Sequence, residues 1–112
     1  MKMRDRRAQA RIAVSLSAEL NSGDAWVPCR ILDMSENGFL LVCNKAFGLG
    51  RRLDLRCELY QGKLFQCKVE IRHAEEMGIG TKIVEIDSRS IDLFQLFLQE
   101  RYSAILNQSK PK

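Results

Sequence analysis

The stretch Leu53-Asp54-Leu55-Arg56-Cys57-Glu58-Leu59-Tyr60-Gln61-Gly62-Lys63-Leu64-Phe65-Gln66-Cys67-Lys68-Val69-Glu70-Ile71-Arg72 decides the fold. Leu53, Leu55, Cys57 and Leu59 alternate with Asp54, Arg56, Glu58 and Tyr60. After Gln61-Gly62, Phe65, Cys67, Val69 and Ile71 alternate with Gln66, Lys68, Glu70 and Arg72. A period of two puts successive side chains on opposite faces of a strand, so the segment is a hairpin with one apolar and one charged face. A sheet with one greasy face must close on itself or meet another layer.

The same period extends outward. Ile12, Val14, Leu16, Ala18 and Leu20 alternate with small or polar residues, and Asn21-Ser22-Gly23-Asp24 is a turn. Val27, Cys29 and Ile31 lead the next strand, where Pro28 cannot donate to a ladder and predicts an edge or a bulge. Asp33 to Gly38 is a polar loop, Phe39–Cys43 a short apolar strand, and Glu75-Glu76-Met77-Gly78 turns the chain into a sixth strand at about 79–86. The Gly-containing stretches 47–50 and 77–80 read as turns. The pattern then becomes helical: Asp87 or Ser88 is a cap, and Ile91, Phe94, Leu98, Tyr102 and Ile105 recur at helix spacing. Leu93, Leu96 and Phe97 widen that stripe, which reads either as packing over the open end of a barrel or as a second face that meets another protein. The expected fold is mainly β, a six-stranded antiparallel β-barrel of the split-barrel type with a C-terminal α-helix at about 88–106. Residues 12–107 form the barrel and helix, 1–11 a flexible Arg-rich arm and 108–112 a disordered tail.

The chain has 112 residues and a net charge of +4, and Lys2, Arg4, Arg6, Arg7 and Arg11 against Asp5 place that whole excess in the first eleven residues. No apolar run approaches the ~18 residues that span a bilayer, and no h-region follows the charged start. The expectation is a cytoplasmic protein without membrane insertion. The cysteines at 29, 43, 57 and 67 form no C-x-x-C pair and His73 is the only histidine, so they read as buried, reduced core thiols and not as metal ligands. Neither a nucleophile elbow, a Walker loop nor a Cys/His pair with an orienting third group is present. The expectation is therefore no enzyme, no catalytic residue, no metal and no cofactor.

Binding is better supplied. Arg6-Arg7-Ala8-Gln9-Ala10-Arg11 carries guanidinium groups four residues apart, suited to forking onto phosphate and to stacking on a base. Alone, such a cluster is a solvated basic arm. Some twenty residues on, between two strands, stands Asp33-Met34-Ser35-Glu36-Asn37-Gly38. R-x-x-x-R at Arg7 and Arg11, followed at that interval by D-x-S-x-x-G at Asp33, Ser35 and Gly38, resembles the PilZ domain, and the resemblance runs along nearly the whole chain. It implies a bacterial receptor for the second messenger cyclic di-GMP. It implies that Arg7 and Arg11 take the phosphates and the Hoogsteen edges or faces of guanine, that Asp33 and Ser35 read guanine, and that Gly38 permits the tight turn. An Arg at Arg6 accompanies, in that family, binding of an intercalated ligand dimer. His73 falls where some members carry an aromatic that stacks on the ligand; by itself it reads equally as a polar residue at a strand end. Gly80-Thr81-Lys82-Ile83 stands where the family usually has G-V-x-F, which alters the packing there.

Two other readings remain at this point: a small basic barrel binding RNA or single-stranded DNA, and a PilZ-like interaction module that uses no nucleotide. With only eight aromatics, three of them in the helix, and mixed charge on the sheet, a nucleic acid polymer is not favoured. The expected mechanism is a stand-alone receptor in which ligand orders the Arg arm onto the barrel and changes the surface offered to an unidentified downstream protein.

Overall fold

The computed structural model describes residues 11–109. Six strands precede one helix: β1 (Ile12–Asn21), β2 (Trp26–Met34), β3 (Gly38–Cys43), β4 (Arg52–Tyr60), β5 (Lys63–Glu75), β6 (Gly78–Ile86) and α1 (Ser88–Ser109). They close into an antiparallel barrel in the order β1-β2-β3-β6-β5-β4. The decisive hairpin is β4–β5: Leu53 faces Val69, Leu55 faces Cys67 and Cys57 faces Phe65. All eight apolar members of its alternation, from Leu53 to Ile71, are buried in the core.

Two pairings join distant segments, β3 with β6 and β1 with β4. The second is short, confined to Ala18–Asn21 against Asp54–Cys57. Pro28 is paired with Glu19 on β1 and lies one residue beyond the last β2–β3 pair, Cys29 with Cys43, so it sits where the strand has a neighbour on one side only. Strand β6 begins at Gly78, one residue before the expected start, so the stretch 78–80 is strand and only 76–77 turn.

Asp87 caps α1 by accepting from the Ser90 backbone N–H at 2.8 Å, while the buried Ser90 hydroxyl accepts from the backbone N–H of Gln66 at 3.0 Å. One end of the barrel is closed by aromatic packing. The Phe94 ring stacks on Phe65 at 5.0 Å and meets Phe39 at 5.6 Å, and Phe97 stands edge-on to Tyr60 at 5.7 Å. The buried stripe is thus Ser90, Phe94 and Phe97, while Tyr102, expected in it, is exposed. The helix also runs to Ser109, past the expected end at 106, so 108 and 109 are helical rather than tail. At 22 residues it is about 33 Å long. Residues 99–104 are all exposed, with Glu100 still tied to β4 by accepting from the Tyr60 hydroxyl at 2.6 Å. Among the described residues no helix is long and apolar enough to cross a membrane.

Candidate functional site

The site is built on register. Across four adjacent strands Asp33 on β2 faces Leu40 on β3, Leu40 faces Gly80 on β6, and Gly80 faces His73 on β5. One row on the outer wall therefore carries a carboxylate, an aliphatic side chain, bare backbone and an imidazole.

Strict alternation would not have placed them there. Ile31 is fully buried, so period two would also turn Asp33 inward; likewise Ile71 is buried and would carry His73 with it. A β-bulge between Ile31 and Asp33, and another between Ile71 and His73, shifts the parity. Met34 then faces the core while Asp33 and His73 face out. Bulges re-aim side chains in this way at the price of a locally broken ladder.

The row lines a cavity of about 280 Å³ together with Arg11 and Thr81. The guanidinium of Arg11 donates from both Nε and Nη2 to Asp33 Oδ1, at 2.9 and 2.7 Å. This pair fixes a cation and a carboxylate beside the cavity, and its half-open setting leaves both accessible to a ligand. The buried Thr81 hydroxyl donates to the Phe39 carbonyl oxygen at 3.0 Å and is satisfied within the wall.

The expected site residues fare differently. Arg6 and Arg7 lie outside the described residues. Arg11, Asp33 and His73 come together at the cavity. Ser35 does not line it: only 2% exposed, it shapes the loop, its backbone N–H donating to the Gly38 carbonyl at 3.0 Å and its Oγ accepting from the Asn37 N–H at 3.3 Å. Gly38 does not line it either. Its backbone lies outside the left-handed region, and its use is close approach: a Cβ would collide with the Thr81 carbonyl oxygen across β6. Leu40, Gly80 and Thr81 were missed. The one available signal was Gly80, since glycine inside a strand marks a bulge or a close approach.

The opposite wall differs in kind. Arg56 pairs with Glu19 at 2.7 Å and covers Trp26 at 3.8 Å, while Lys68 pairs with Asp54 at 2.9 Å. Among the described residues no cluster of three or more His, Cys, Asp or Glu is placed to hold a metal.

A family model described as PilZ domain matches residues 5–100. Among solved structures, the Bacillus subtilis inhibitor of motility MotI/DgrA is similar with a TM-score of 0.71 at 18% identity, over 91% of this chain and 52% of that one. The chain thus spans about half the length of that relative. The PilZ domain of CeSA from a cellulose-synthesizing bacterium is similar with a TM-score of 0.61 at 12% identity, over 85% of this chain and 97% of that one. At these identities the likeness is one of fold. No curated protein matches the chain.

Proposed function

The chain belongs to the PilZ domain family, whose members are in general receptors for cyclic di-GMP, and from that premise we propose that its cavity is the binding site for this dinucleotide. The observation that carries the reading is the Arg11–Asp33 pair at the mouth of a cavity whose far side is His73. Cyclic di-GMP presents two phosphate charges and two guanines. A guanidinium meets phosphate oxygens, or guanine O6 and N7, with a two-pronged fork, and a carboxylate accepts from guanine N1 and N2. Arg11 and Asp33 supply one of each, already oriented by their mutual hydrogen bonds. Adenine lacks that pair of donors, so Asp33 favours guanine. The His73 ring offers a face for stacking, while Ser35 and Gly38 act through the loop that holds Asp33.

Arg6 and Arg7 complete the clamp. Residues 1–11 contain little to bury, so the arm gains a fixed place on the barrel when the ligand phosphates neutralise its charge. Arm and ligand together then form a new surface for a downstream protein, and Arg6 favours a stoichiometry of two ligands per chain. Buried thiols at Cys29, Cys57 and Cys67 suit a reducing, cytoplasmic setting. The paired charges and covered Trp26 of the opposite wall do not favour an RNA or single-stranded DNA surface.

Titration calorimetry with cyclic di-GMP tests the reading on the wild type and on Arg7→Ala/Arg11→Ala. Hydrogen bonds to charged groups contribute about 1.5–3 kcal/mol each, so the double variant is expected to bind at least roughly a hundredfold more weakly. No heat with the wild type refutes the receptor reading, and undiminished binding by the variant refutes the site. One ligand per chain removes the role given to Arg6.

A further inference from the structure

Gly80 stands in the middle of the outer row, yet its residue is buried. The space beside its backbone is filled by its cross-strand partner. A Cβ at this position would collide with Nε2, Cε1 and Cδ2 of the His73 imidazole. The outer end of the ring therefore occupies the volume that any side chain at position 80 would need.

We propose that Gly80 is a positioning residue for the ligand: by lacking a side chain it seats the His73 imidazole across β6, in line with Leu40 and Asp33, so that the ring meets a guanine held by Asp33. The inference rests on the receptor reading above and adds to it a residue that makes no ligand contact of its own. The geometry gives the glycine a purpose that strand formation does not. Glycine weakens a strand interior, so β6 loses stability by having it. It shows no left-handed backbone angle that would call for glycine, since the positive angles belong to Gly23, Gly50, Gly62 and Gly78. What the position requires is room, and the group that uses the room is His73. With a methyl there, the imidazole must swing off β6, out of the row or into the cavity, and either move spoils the stacking place.

The sole histidine of the chain makes this testable, because its imidazole signals stand alone in a proton–nitrogen or proton–carbon spectrum. In the ligand-free full chain, Gly80→Ala is expected to shift those signals. In calorimetry with cyclic di-GMP, Gly80→Ala is expected to weaken binding roughly tenfold or more, the scale of one lost base stack, and to match His73→Ala. The double variant His73→Ala/Gly80→Ala is expected to bind no more weakly than His73→Ala alone, since the methyl then displaces nothing. If Gly80→Ala fails to fold, recovery of folding in the double variant still identifies His73 as what the methyl strikes. Failure of both to fold overturns the proposal, as do additive losses in the double variant. Wild-type binding with an unaffected Gly80→Ala variant overturns the role of Gly80 alone. No wild-type binding overturns the receptor reading, and the ligand role of Gly80 with it, while the free-protein spectrum still reports whether the imidazole is seated.

Discussion

Gly38 lies so close to β6 that a Cβ would collide with the Thr81 carbonyl oxygen and sit 3.1 Å from the Lys82 Cα. The neighbouring atoms are backbone, held in a closed barrel, and cannot step aside as a flexible side chain would. Gly38→Ala is therefore expected to destabilise by about 1–3 kcal/mol, the usual cost of overpacking, seen as a lower urea midpoint. An unchanged midpoint would show that β3 and β6 separate freely. The need for glycine was legible in the D-x-S-x-x-G spacing, but its cause was not: the sequence suggested a tight turn, and the structure shows an approach between strands more than forty residues apart. Ser35 teaches the same lesson, since a serine that bonds a loop and a serine that faces a ligand look alike in sequence.

Helix α1 is held both by its own N-terminal cap and by several contacts with the barrel, of which the Phe94 ring is the most deeply buried. Asp87 satisfies one of the orphan N–H groups of the first turn, and Phe94 fills the barrel end between Phe39 and Phe65. Loss of the cap in Asp87→Ala is expected to cost about 1 kcal/mol. Loss of the buried ring in Phe94→Ala is expected to cost about 3–5 kcal/mol, because a cavity opens as well. Equal costs in urea titrations would mean that the helix is held by its cap rather than by the barrel. The cap and the helical period were readable in advance. Which face the barrel would take was not, because the stripe from Ile91 to Leu98 is apolar over more than one face, leaving Leu96 47% exposed.

In the molecule as a whole, the interior protects three thiols, Cys29, Cys57 and Cys67, while Cys43, expected to be buried with them, is only half-buried at the end of β3. Burial, the largest cause, pushes Cys29 and Cys67 up to about 12 and Cys57 up to about 11, from an ordinary value of 9.0. Tyr60 is raised to about 12 by desolvation and then by its hydrogen bond to Glu100, and Lys68 is raised by its bond to Asp54. In every case the folded state holds the proton more tightly than the unfolded chain. The stabilisation is complete below the unfolded values and is lost as pH rises toward the folded ones. The urea midpoint is therefore expected to fall steadily above about pH 9, as unfolding releases thiols that ionise. A midpoint that stays level to pH 11 would refute the burial of these thiols.

The strands, the helix and the side-chain chemistry along them follow from local sequence. Alternation along 53–72 specified strands and their greasy face, Asp87-Ser88 marked the start of the helix, and the pairing of Arg7 and Arg11 with Asp33, Ser35 and Gly38 pointed to the family. These are local properties, set by the period of the chain and by side-chain type. Which way the side chains of the site turn follows from the closed barrel. Two bulges reverse the parity of Asp33 and His73, and the β3–β6 pairing sets Leu40 beside Gly80 between them. Register between distant strands follows from closing the whole barrel around one core, and no window of sequence contains that constraint.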